Sequence, residues 1–165
     1  MDFIQQELQW ETVCAEVYRY GKGSALQEFF AMLHVKNQEV PFEEQLKYLT
    51  RGAQQLLHEL GQEVTFKIAF KRYFLSDAAN QETLVMEQEC SGEGAVSIVE
   101  QPPLDGTKVA LWIYGVAGAE VECKTNGFCE VCHDGLRHLW LAHQMGQGEN
   151  SATPQRKTVS TNYVH

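Results

Sequence analysis

From Thr107 to Val116 the chain reads TKVALWIYGV, with apolar side chains at both odd and even positions. A strand with one wet face alternates apolar and polar residues. Here Val109, Leu111 and Ile113 point one way while Ala110, Trp112 and Tyr114 point the other, so both faces of this strand need cover. Helices can cover one face of a sheet in a chain of 165 residues. The second face then calls for a neighbouring subunit or domain, and any pocket lies at that join.

The remaining elements follow from the same periodicities. Leu8 to Arg19 reads as a strand closed by Gly21-Lys22-Gly23, and Ala25 to Val35 as the returning strand of a hairpin. A helix is the rival reading of that second segment, because Leu26, Phe29, Phe30 and Leu33 also fit helical spacing. Pro41, the acidic first turn Glu43-Glu44 and the stripe Phe42, Leu46, Leu49, Ala53, Leu56, Leu57 and Leu60 predict a helix ending at Gly61. Val64 to Leu75 reads as a long strand with Val64, Phe66, Ile68 and Phe70 on an oily side and Thr65, Lys67, Ala69 and Lys71 on a more polar one. Ser76 or Asp77 caps a helix over Ala78 to Glu89, with Leu84 and Val85 as its main apolar contacts. Ala95 to Glu100 is a short strand, and the Pro102-Pro103 and Asp105-Gly106 turn leads into the opening strand. Asn126-Gly127 and Asp134-Gly135 then predict a meander over Val121 to Lys124, Phe128 to His133 and Leu136 to Ala142.

This order predicts an α+β fold: a mixed β-sheet with two helices packed on one face, plus a C-terminal β-meander. The expected boundaries are an α+β domain over 1–119, the meander over 120–143 and a polar loop or tail over 144–165. Asp plus Glu number 22 against 13 Lys plus Arg, a net charge of −9, which argues against nucleic acid as the ligand. With no membrane-length apolar run and no signal-peptide pattern, the expectation is a cytoplasmic protein without a membrane partner. The odd count of 5 cysteines then suggests free thiols rather than a disulfide framework.

The segments EEQLKYLTRGAQQLLHELG, KIAFKRYFLSD and AVSIVEQPPLDGTKVALWIYGV, in this order over about Trp10 to Val116, resemble the RidA (YjgF, endoribonuclease L-PSP-like) group of imine and enamine deaminases and their non-catalytic relatives. The resemblance implies a chorismate-mutase-like fold and trimers with clefts between subunits. It also implies an Arg in the short strand before the proline turn and a Glu in the last strand. Matching the strands places Val96 where that Arg would stand, with Ser97 beside it, and puts Ala110 and Trp112 at the Glu positions. Without the carboxylate anchor and the acid-base group, imine hydrolysis loses its orientation and much of its chemistry.

The reading is therefore a RidA-like domain with a degenerate deaminase site and no catalytic residue, metal or cofactor, acting as a small-molecule-binding or assembly module. Its ligand-binding candidates are Val96, Ser97, Trp112, Tyr114 and His34, suited to a small, flat, apolar or aromatic ligand. The plain alternative is that Val96 and Trp112 fill the old cleft as core or interface. The partner expected is a second copy, in a trimer, or a second RidA-like module, since GLRHLWLAH is similar to the entry of one. Two other functional classes stay open. One is an active deaminase or endoribonuclease-like enzyme with relocated groups. The other is a thiol or zinc protein built on Cys123, Cys129, Cys132, His133 and His138. The Cys129-Glu130-Val131-Cys132-His133 run also fits the c-type haem attachment pattern, but that chemistry belongs to exported chains. Residues three apart on a strand face opposite sides, so Cys129 and Cys132 could share a metal only in a bent knuckle.

Overall fold

A computed structural model of the chain describes residues 3–90, 92–124, 127–142 and 162–164. The first three strands are β1 (Phe3–Gln9), β2 (Val13–Tyr20) and β3 (Gln27–Val35), followed by α1 (Phe42–Leu60) and β4 (Lys67–Leu75). Then come α2 (Ala78–Glu89), β5 (Ala95–Glu100) and β6 (Val109–Ala117). A second group contains β7 (Glu120–Cys123), β8 (Phe128–His133), β9 (Leu136–Leu141) and β10 (Asn162–Val164). The first six strands form one sheet in the order β1-β2-β3-β6-β4-β5, and the last four form another in the order β10-β9-β8-β7. Among the described strands only β4 and β5 run parallel, joined through α2, and every other neighbouring pair is antiparallel.

The mixed α+β architecture expected from the pattern is present. Three local expectations need correction. Leu8 to Arg19 is not one strand: the chain turns at 10–12, with the Trp10 amide donating to the Val13 carbonyl, so Leu8 and Gln9 belong to β1 and Val13 to Arg19 to β2. No Gly or Pro marks this turn. In β4 the pairing with β6 slips between Ile68 and Phe70, a bulge that reverses the parity of everything after it. Ile68 therefore lies in the helix-side core and Phe70 in the opposite one, while Lys71, read as polar-side, is buried. Finally, 162–164, inside the expected tail, pair as β10 with β9; 143–161 lie outside the described residues, as does Asn126 of the Asn126-Gly127 turn.

The helix-side core forms because α1 keeps one unbroken apolar stripe. Phe42, Leu46, Leu49, Leu56 and Leu60 are buried against Val13, Val17, Phe29, Leu33, Leu111 and Ile113. Leu49 and Leu56 are fully covered, each contributing roughly 1.5–3 kcal/mol. Gly52 allows the close approach, since a Cβ there would stand 3.0 Å from Val13 Cγ1. Buried Gln45 fixes the helix start: its Oε1 accepts from the Lys108 amide at 2.8 Å and its Nε2 donates to the Val40 carbonyl at 2.9 Å. Asp77 caps α2, with Oδ1 accepting from the Asn80 amide at 3.3 Å.

The far side of the sheet is covered in part by the chain itself. Cys129, Val131 and Ala142, with Trp140 and Val121 beside them, pack on Ala69, Phe70, Ala95, Tyr114 and Val116. The cover that β6 demands on its second face therefore comes, at this end, from the meander rather than from a neighbour. Asp134 (φ 48) and Gly135 (φ 77) make the tight β8–β9 turn, both in the left-handed region that Asp-Gly turns require.

Candidate functional site

Cross-strand register decides which side chains share the far face. One row across it runs Glu16, Met32, Trp112, Arg72 and Ser97 over β2, β3, β6, β4 and β5. The next row towards the meander runs Tyr18, Phe30, Tyr114, Phe70 and Ala95, and the row on the other side runs Cys14, His34, Ala110, Phe74 and Val99. Ser97, Trp112, Tyr114 and His34 thus share this face, as four of the five sequence-selected positions should. Val96 does not. It is fully buried in the helix-side core, because successive side chains of a strand point to opposite faces and Ser97 already takes the far one. Its removal from the candidate set is a correction imposed by the pleat.

Aromatic rings make the face continuous. Phe30 lies 5.7 Å from Trp112 and 5.0 Å from Tyr114, and Phe70 lies 5.8 Å from Trp112, centroid to centroid. Trp140 of β9 covers one end, 5.0 Å from Phe70 and 4.6 Å from Tyr114. Tyr114 is nearly fully buried there and donates its hydroxyl to Glu28 Oε1 at 2.6 Å. Past the meander, Phe30, Met32, Trp112 and Phe74 stay half-buried. Towards β1 the band continues through Tyr20 to Phe3, which is exposed.

Sequence reasoning missed one charged member of the face. Arg72 lies between Trp112 and Ser97, with its guanidinium carbon 5.4 Å from the Phe70 ring centroid. Its Nε is buried without a hydrogen-bond partner, and burial pushes its pKa below the ordinary arginine value. The anchor position that the resemblance implies falls in β5, whereas this cation comes from β4, next in the sheet; only the register, reversed in parity by the bulge, brings the two together.

His34 is half-exposed at the far end of the face. Its Nδ1 lies 3.2 Å from Asp105 Oδ2. Asp105 also accepts from the Thr107 amide at 3.0 Å and the Thr107 hydroxyl at 2.6 Å. Burial is the largest influence on this carboxyl and works to raise its pKa, but the Thr107 bonds and His34 together outweigh it and hold the pKa below its ordinary value.

The cysteine region forms no shared donor set. Cys123 and Cys129, directly opposite in the β7–β8 pair, are joined as a disulfide, which corrects the expectation of free thiols; Cys14, Cys90 and Cys132 are free. Cys132 lies three residues beyond Cys129 on β8, hence on the other side of the strand. Desolvation and the Glu130 carboxylate, 3.4 Å away, push its thiol pKa up and disfavour a thiolate ligand. Among the described residues no group of three or more His, Cys, Asp or Glu side chains is placed to hold a metal ion. Nor is any helix among them long and apolar enough to cross a membrane. Comparison with protein-family models, with curated proteins and with solved structures finds no match for this chain.

Proposed function

We propose that the chain is a small-molecule-binding module on a RidA-like scaffold that has lost the deaminase site. The observation that carries this reading is the half-buried strip Phe30, Met32, Trp112 and Phe74, left beside the part of the sheet that the meander covers. A largely apolar surface with a few polar groups at its margins, here Ser97 and His34, is the usual make-up of a ligand site. The element order and the sheet order β1-β2-β3-β6-β4-β5 support a RidA-like scaffold as the frame. The same strip is the surface that a homotrimer or a second such module would cover. A neutral flat fluorophore, 1-aminoanthracene, tests the reading: saturable binding is expected, weakened at least about tenfold by Trp112→Ala, the loss of a large aromatic contact. Binding that ignores Trp112→Ala would remove the strip as the site.

One observation favours an enzyme with relocated groups, the second reading. His34 is oriented by Asp105 on the same face as Ser97 and Arg72, an arrangement suited to a general base. Hydrolysis of a 2-aminoacrylate-derived imine that is lost in His34→Ala would establish it, whereas no turnover above buffer leaves the binding module.

A further inference from the structure

We infer that Arg72 is the anchor for a single carboxylate carried by a planar, apolar ligand whose body lies along Trp112 and Phe30. The inference rests on the binding reading above and names the ligand class.

An orphaned donor points to a missing acceptor, and a second lies on the other ring neighbour of Phe70. Arg72 Nε and Trp140 Nε1 are both buried without a hydrogen-bond partner, and both belong to side chains that contact the Phe70 ring, at 5.4 Å and 5.0 Å. Buried N–H groups are nearly always paired in folded proteins, so the unpaired Arg72 Nε, set beside Trp112 on the open part of the face, marks a place where an acceptor is wanted. No ion pair or hydrogen bond among the described residues uses the Arg72 guanidinium. The carboxylate on its own row, Glu16, lies beyond Trp112 and Met32, three strands away and so about 14 Å by strand spacing.

The chemistry of the surroundings narrows the acceptor. A guanidinium presents parallel N–H groups that match the two oxygens of a carboxylate. One cation neutralises one negative charge, and in a chain of net charge −9 a dianionic phosphate would leave an uncompensated charge beside aromatic rings. The half-buried Phe30, Met32 and Trp112 next to the cation call for an apolar body, and ring faces favour a flat one.

The test compares 2-naphthoate with its uncharged amide, 2-naphthamide, titrated calorimetrically into the full chain, its Arg72→Met variant and its Arg72→Lys variant. The wild type is expected to prefer the naphthoate by at least about tenfold, the size of one charge-assisted contact. Arg72→Met should bind both probes alike, and Arg72→Lys should keep part of the preference while losing the fork. Should Arg72→Met fail to fold, the wild-type preference and its reduction in Arg72→Lys still decide the matter. Equal binding of the two probes to the wild type overturns the carboxylate anchor and leaves the binding reading standing. Binding of neither probe, with Arg72→Met or Arg72→Lys lowering the solution mass, overturns both and makes Arg72 an interface residue paired by a second copy. Binding of neither probe with the mass unchanged also overturns both.

Discussion

Lys71 Nζ donates to Glu89 Oε2 at 2.7 Å, with both side chains buried between β4 and the last turn of α2. The Tyr73 hydroxyl donates to the other Glu89 oxygen, so the carboxylate is held from two directions by one strand. Burial first, and then Glu89, raises the Tyr73 pKa well above its ordinary value, which keeps that donor protonated. A pair so placed is worth little in itself but is costly to break, because the surviving charge stays buried. Glu89→Ala should therefore lower stability by about 3–5 kcal/mol in chemical denaturation. The double variant Lys71→Met with Glu89→Leu should recover most of that loss, and no recovery would show that Glu89 acts through other contacts.

This pair also shows where the sequence stopped being legible. Helix α1, strands β3, β5 and β6 and the meander follow from periodicity and turn residues, because each keeps one period between clear punctuation. Lys71 breaks the rule: the alternation through Phe70 assigns it to a polar side, and the bulge after Ile68 sends it inward. A bulge carries no fixed residue type, so neither the buried Lys71 nor the far-face Arg72 could be read in advance. Val96 differs for another reason: the pleat that puts Ser97 on the far face puts its neighbour in the helix-side core. The candidate site was readable as four positions on one doubly covered sheet, but its cation and its partial cover depend on contacts between residues far apart in the chain.

Gly115 on β6 supplies a packing test. A Cβ there would stand 2.2 Å from Phe29 Cε1, and Phe29 is fully buried and edge-on to Phe66 at 5.2 Å. The ring has no room to retreat. Gly115→Ala should cost about 1–3 kcal/mol by overpacking, measured as a lower denaturation midpoint at unchanged m-value.

Acid stability should contain a contribution from Asp105. Its folded pKa is depressed, so the folded chain binds the proton less readily than the unfolded one. The stability gained is fully present above the unfolded carboxylate value and is lost as pH falls through the depressed folded one. Asp105→Asn should remove this component, so the stability gap between the variant and the wild type shrinks as the medium is acidified through that window. A gap that stays constant would mean that Thr107 and His34 do not favour the charged form.

The Cys123–Cys129 bond ties two directly opposed strands across a sequence separation of 6. Closing so short a loop in the unfolded chain is worth about 2 kcal/mol on chain entropy. Reduction should lower the melting temperature of the wild type and leave a Cys123→Ala, Cys129→Ala variant unchanged. Peptide mapping without reductant reads the pairing directly, and an unpaired Cys123 would remove the prediction.

Two tryptophans on the same face should behave differently because only one is part of the cover. Trp140 comes from the second sheet and lies against Phe70 and Tyr114, with its ring nitrogen buried, so deleting it opens the junction between the sheets. Trp112 belongs to β6 itself and stands half-buried past the meander. Trp140→Ala should therefore cost about 3 kcal/mol, at the low end for a large core aromatic, and expose Phe70 and Tyr114 to a hydrophobic dye. Trp112→Ala should cost clearly less and reduce dye binding, since it shrinks the exposed strip instead of enlarging it. If both variants lose stability equally, Trp112 is as much a part of the core as Trp140, and the open strip beside the meander is not a binding surface.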